Sequence, residues 1–166
     1  MQDASGTGSR GREASLIWLT HPTWFSPGGA EESVVTAPGR PVWVAVTFPD
    51  RAIDPSTVHL DTVHAHEVSD STATMTAYVC TNRPGMDVLG SGGTAMMRQT
   101  CRRLVRAHDL DMTVGRGHPE YVMLRIVPAH IGRLRLDRVD VTYRRGLQRG
   151  TQGISFHLTV FARPTS

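Results

Sequence analysis

The strongest constraint in this chain lies between Leu134 and Val160, where apolar and polar residues alternate in two runs. In the first, Leu134-Arg135-Leu136-Asp137-Arg138-Val139-Asp140-Val141-Thr142-Tyr143, the alternation slips once, at Asp137-Arg138. Side chains on a strand point to opposite faces in turn. Leu134 and Leu136, and beyond the slip Val139, Val141 and Tyr143, are therefore set to face a core. The second run, 154–160, offers a matching row of Ile154, Phe156, Leu158 and Val160. Between the two runs, segment 144–153 carries Arg144, Arg145 and Arg149 with three glycines, and reads as a long basic loop.

The rest of the chain repeats this grammar in shorter pieces. Residues 1–14 have linker composition, and a domain is expected over 15–166. Ser15–Leu19 is a short apolar run consistent with a first strand. The loop 21–29 follows, with Trp24 and Phe25 expected to pack on a sheet as anchors. Ser33–Thr36 is a weak strand closed by Pro38-Gly39. Pro41–Phe48 places Val42, Val44, Val46 and Phe48 on one face and Trp43, Ala45 and Thr47 on the other. Apolar on both sides, it belongs in the middle of a sheet. Segments 57–68 and 72–80, joined by Ser69-Asp70-Ser71, suggest a hairpin. Thr81–Thr100 is the longest irregular stretch, with a short helix or none within 95–105. Glu120–Val127 is a further strand, stopped by Pro128. Seven to nine short antiparallel strands with no alternating helices predict an all-β fold: a β-sandwich, immunoglobulin-like or similar.

Composition narrows the function classes. A hydrophobic fraction of 39% with 20% charged residues is ordinary for a globular domain and argues against overall disorder. All 18 basic residues are arginine and Asn82 is the sole asparagine, a bias expected of a GC-rich genome. The net charge is only +3, and arginine runs from Arg10 to Arg163. The one cluster, Arg98, Arg102, Arg103 and Arg106, reads as a solvated face, so no nucleic-acid partner is expected. No apolar run nears the ~18 residues of a membrane span. The polar start lacks a signal-peptide pattern, which fits a cytoplasmic terminus or a segment that followed a signal or membrane anchor.

Few residues offer chemistry. Cys80 and Cys101 bracket the glycine-rich stretch. A disulfide there would contribute about 3 kcal/mol; two buried thiols in a reducing compartment are the alternative. His64-Ala65-His66 places two imidazoles on one face of a strand, where they could share zinc or copper. On that reading Thr62, Leu60 and Val58 share their face and His59, Asp61 and Glu67 lie opposite. A third ligand would come from His21, His108, His118 or His157. Gly90-Ser91-Gly92 lacks the frame of a nucleophile elbow, and without lysine no P-loop exists. Asp109 with Asp111, or Asp137 with Asp140, are carboxylate pairs that nothing places in a cleft. An enzymatic reading would need a deep polar pocket joining His118, Glu120 or the 83–100 loop. The basic segment remains: Arg144, Arg145, Gln148 and Arg149 could grip an acidic partner.

Segment Arg138–Gln152, with the cysteine pair before it, resembles the C-terminal half of small uncharacterised secreted or membrane-anchored proteins of GC-rich bacteria. That resemblance implies a β-sandwich outside the cytoplasm and supplies no activity. The expectation is a non-enzymatic, cofactor-free binding or assembly module whose partner is a protein or an envelope polymer. The alternatives are a metal-binding protein using His64 and His66, and a cytoplasmic location.

Overall fold

Alternating sequence becomes alternating burial. A computed structural model describes residues 24–27, 31–48, 53–69, 72–117 and 120–164. The expected tail at 1–14, the strand at 15–19, and His21 and His118 fall outside them. In chain order the elements are β1 (Ser26–Pro27), β2 (Glu32–Thr36), β3 (Val42–Ala45), β4 (Thr47–Phe48), β5 (Ser56–Glu67) and β6 (Ala73–Asn82). There follow β7 (Ser91–Gly93), α1 (Thr94–Thr100), β8 (Cys101–Arg106), β9 (Leu110–Val114), β10 (Glu120–Pro128), β11 (Gly132–Arg145) and β12 (Gln148–Ala162).

These strands form a sandwich of two five-stranded sheets, ordered β7-β3-β10-β6-β8 and β2-β12-β11-β5-β9, with a small β1-β4 pair. The all-β class holds. The described residues carry twelve strands rather than seven to nine, because two-residue pieces and the glycine-rich stretch contribute strands of their own. One pairing, β2 on β12, is parallel rather than antiparallel.

The inner faces supply one core. Leu134, Leu136, Val139, Val141 and Tyr143 from β11 and Ile154, Phe156, Leu158 and Val160 from β12 are all buried in it. Each such side chain stabilises the fold by about 1.5–3 kcal/mol. A register shift between Leu136 and Arg138 coincides with the slip in the sequence: against β5, Asp137 is one extra residue, which returns the apolar row to the core. Trp24 and Phe25 join this core, as anchors should.

Three expectations change. The loop 144–153 is instead ladder: β11 and β12 pair out to Arg145 and Gln148, leaving a two-residue turn, Gly146-Leu147. Gly146 has φ 57, the positive value that the first position of a type II′ turn requires. Leu147 is fully exposed at the tip and does not fold back. The expected 57–68/72–80 hairpin is a crossover, since β5 pairs with β11 and β9 while β6 pairs with β10 and β8. Packed sheets lie only about 10 Å apart, so a short link spans them as readily as it turns a hairpin. Finally, β3 sits between β10 and β7 with both faces covered, but the strand breaks at Val46, and Phe48 packs on the face of Trp43 and Ala45.

A second apolar cluster lies on the outer face of the first sheet. Trp43, Ala45, Cys80, Tyr121 and Met123 are covered there by Leu89 and Met97, from the 83–100 segment. The arginines of edge strand β8 (Arg102, Arg103, Arg106) are exposed, where charge discourages edge-to-edge pairing. No helix among the described residues is long and apolar enough to cross a membrane.

Candidate functional site

The four residues of the basic segment do not converge. Arg144 stands opposite Arg149, and Arg145 opposite Gln148, so successive pairs face opposite sides of the ladder. Arg144 donates through Nε to Asp61 Oδ1 at 2.7 Å, with Nη2 3.8 Å from Asp109. Arg145 lies over the Trp24 ring, 4.5 Å from its centroid. Gln148 and Arg149 are exposed beside the turn.

The histidine pair lies on a face that the sequence assigned wrongly. A register shift between Thr142 and Tyr143 leaves Asp61 as an extra residue in β5. Val58 and Leu60 therefore point inward, followed by Val63 and Ala65, while Thr62, His64 and the partly exposed His66 point outward. His59 and Asp61 join that outward face rather than opposing it. His64 and His66 meet edge to face, centroids 4.8 Å apart. His66 Nε2 is 2.7 Å from Asp140 Oδ2, and Arg138 Nε donates to the other carboxylate oxygen at 2.6 Å. Partial burial raises the Asp140 carboxyl, but the hydrogen bonds from His66 and Arg138 outweigh it and leave its pKa lowered. That carboxylate is thus already engaged by Arg138, which disfavours a metal ion beside it. Among the described residues no group of three His, Cys, Asp or Glu is placed to hold one.

The cluster missed in the sequence is centred on His59. Its Nδ1 lies 2.7 Å from Asp111 Oδ1 and its Nε2 2.9 Å from Asp109 Oδ1. Two carboxylates on one ring favour the imidazolium, and the hydrogen bonds to Asp111 and then Asp109 raise its pKa above 6.5. Finding this cluster required the β5–β9 register, which places His59 opposite Asp111. Asp109 and Asp111 are indeed a pair, engaged by this histidine, while Asp137 sits at the β11 slip, apart from Asp140.

Cys80 and Cys101 are joined by a disulfide, with Cα atoms 5.5 Å apart, buried in the outer cluster. It closes the glycine-rich segment, which is pinned along its length. The Tyr121 hydroxyl accepts the Leu89 N–H at 3.2 Å and donates to Asn82 Oδ1 at 2.9 Å. Trp43 Nε1 donates to Thr94 Oγ1, and the Ala45 N–H to the Gly90 carbonyl. Burial pushes the Tyr121 pKa up, keeping the hydroxyl protonated as a donor. Glu120 is tied by Thr81 Oγ1 and the Thr113 N–H, which donate to its two carboxylate oxygens.

Among the described residues a concave surface lies elsewhere, at the 130–135 end of β11. An open groove of about 630 Å³ is lined by Val68, Ser69, Thr72, His130, Ile131, Gly132, Arg133 and Arg135. A smaller cavity of about 230 Å³ shares Arg135 and adds Glu31 and His157. Alternation along the strands carries no signal for this groove, because Val68, Ser69 and Thr72 reach it only through a crossover that has the composition of a hairpin turn. No family model, curated protein or solved structure matches this chain.

Proposed function

We propose that this chain is a non-enzymatic extracytoplasmic binding module that presents a ligand groove at one end of a rigid sandwich. The groove carries the reading: about 630 Å³ falls within the range of ligand sites, and its lining mixes apolar side chains with a few cations. The Cys80–Cys101 disulfide supports a location outside the cytoplasm, since such bonds persist in oxidising compartments. Loops and strand ends on a stapled scaffold are where such modules bind.

The test is retention of the purified protein on isolated cell-envelope material. Wild type should be retained, and the double variant Arg133→Gln/Arg135→Gln should elute with unchanged circular dichroism. Equal retention of both, or retention of neither, would refute the groove as the binding surface.

A further inference from the structure

The lining of the groove divides by chemistry. Arg133 and Arg135 stand two residues apart on β11 and so project from the same face. That spacing is about 7 Å along a strand, across which two guanidinium forks can share one carboxylate or phosphate group. Arg133 is braced by the Phe161 ring, 5.9 Å from its centroid. Among the described residues neither guanidinium has a carboxylate at ion-pair distance, whereas Arg116, Arg138 and Arg144 all do. His130 adds a third basic group to the lining.

Beside Ser69, Thr72 and Gly132 the lining holds two uncovered apolar side chains. Val68 is 53% exposed and Ile131 63%. Scattered exposed hydrophobics need no explanation, but two in one concavity beside cations that have no carboxylate partner among the described residues point to a ligand.

Resting on the binding reading above, we propose that the groove takes an anion joined to an apolar chain. The head, a carboxylate or phosphate, is held by Arg133 and Arg135, and the chain lies along Ile131 and Val68. Free alkyl acids and alkyl phosphates carry this chemistry as single molecules, with the chain available to the groove; a bilayer surface presents the anion alone.

The experiment titrates the full chain with dodecanoate and with dodecyl phosphate below their micelle-forming concentrations, following amide shifts at 130–135. Inorganic phosphate and an uncharged dodecyl glycoside serve as controls. Either amphiphile should bind at least tenfold tighter than both controls. Arg133→Gln/Arg135→Gln should weaken it at least tenfold, Ile131→Ser severalfold, and Arg149→Gln not at all. Phosphate binding as tightly as dodecyl phosphate, or affinity unchanged in the double arginine variant, would overturn the proposal. Sedimentation with phosphatidylglycerol vesicles and no binding of monomeric amphiphile would also overturn it, in favour of a charged-surface contact. If no amphiphile binds while the groove variants still abolish envelope retention, the ligand class fails and the binding reading stands. If the groove variants alter neither measurement, both fail.

Discussion

Removing the disulfide tests whether the 83–100 strap is held by a covalent tie or by its own packing. In the double variant C80A/C101A the chain loses a crosslink spanning 21 positions. Loop-closure entropy for that length is worth about 3 kcal/mol, and the void left by two buried sulfurs adds roughly 1 kcal/mol. The native contacts of the strap survive: Tyr121 still holds Leu89 and Asn82, and Trp43 still reaches Thr94. The folded state should therefore keep its far-ultraviolet circular dichroism while its unfolding free energy falls by about 4 kcal/mol. Equilibrium urea unfolding, read by dichroism and by tryptophan fluorescence, measures this. With a slope of about 2 kcal/mol per molar, the midpoint falls by roughly 2 M, and the slope itself rises because the unlinked chain exposes more surface. A loss below about 1 kcal/mol would refute the entropic argument. Loss of the native spectrum without urea would show instead that the sandwich depends on the strap.

Three further outcomes follow from particular contacts. Tyr121→Phe strips the partner from the Leu89 N–H and from Asn82 Oδ1, both buried, and should cost about 2–4 kcal/mol in urea unfolding, with faster hydrogen exchange at Leu89. Gly115→Ala places a Cβ 2.7 Å from the Ile53 carbonyl at φ +108, which should cost more than ~2 kcal/mol and lower the thermal midpoint. His59 has a folded pKa above 6.5, so its contribution to stability is complete below the unfolded value and is lost as pH rises through the folded one. A ring-proton NMR titration should show the raised midpoint, and Asp109→Asn/Asp111→Asn should return it toward 6.5.

The sandwich was legible wherever one side of a strand faces the core. Every inward residue named for β11 and β12 is buried, and even the slip at Asp137-Arg138 marked a real shift of register. What alternation could not fix was pairing. A strand reads the same whether its neighbour precedes it or lies across the sandwich, so the 68–72 crossover looked like a turn. Arg144 to Gly153 looked like a loop because arginine and glycine resemble turn composition, yet their backbone groups continue the ladder on either side of Gly146-Leu147. The strap was illegible for the opposite reason: its order comes from the disulfide and the Tyr121 hydroxyl, long-range contacts with no local periodicity.

The bulge at Asp61 shows why the site was harder than the fold. One extra residue reverses every side chain beyond it, so extrapolating from His64 and His66 back to Val58 gave the wrong face. Corrected, the outward surface carries His59, Asp61, His64 and His66 on β5, across from Asp109 and Asp111 on one side and Asp140 and Arg144 on the other. Its charges are largely answered within the surface: His59 by two aspartates, Asp61 by Arg144, Asp140 by His66 and Arg138. A partner binding there would have to displace hydrogen bonds of 2.6–2.9 Å that the protein already makes between oppositely charged groups. Arg133 and Arg135 face no such competition among the described residues. An incoming anion there gains a partner without breaking an ion pair of the described residues, and that difference, more than the number of charges on either surface, favours the groove over the β5 surface.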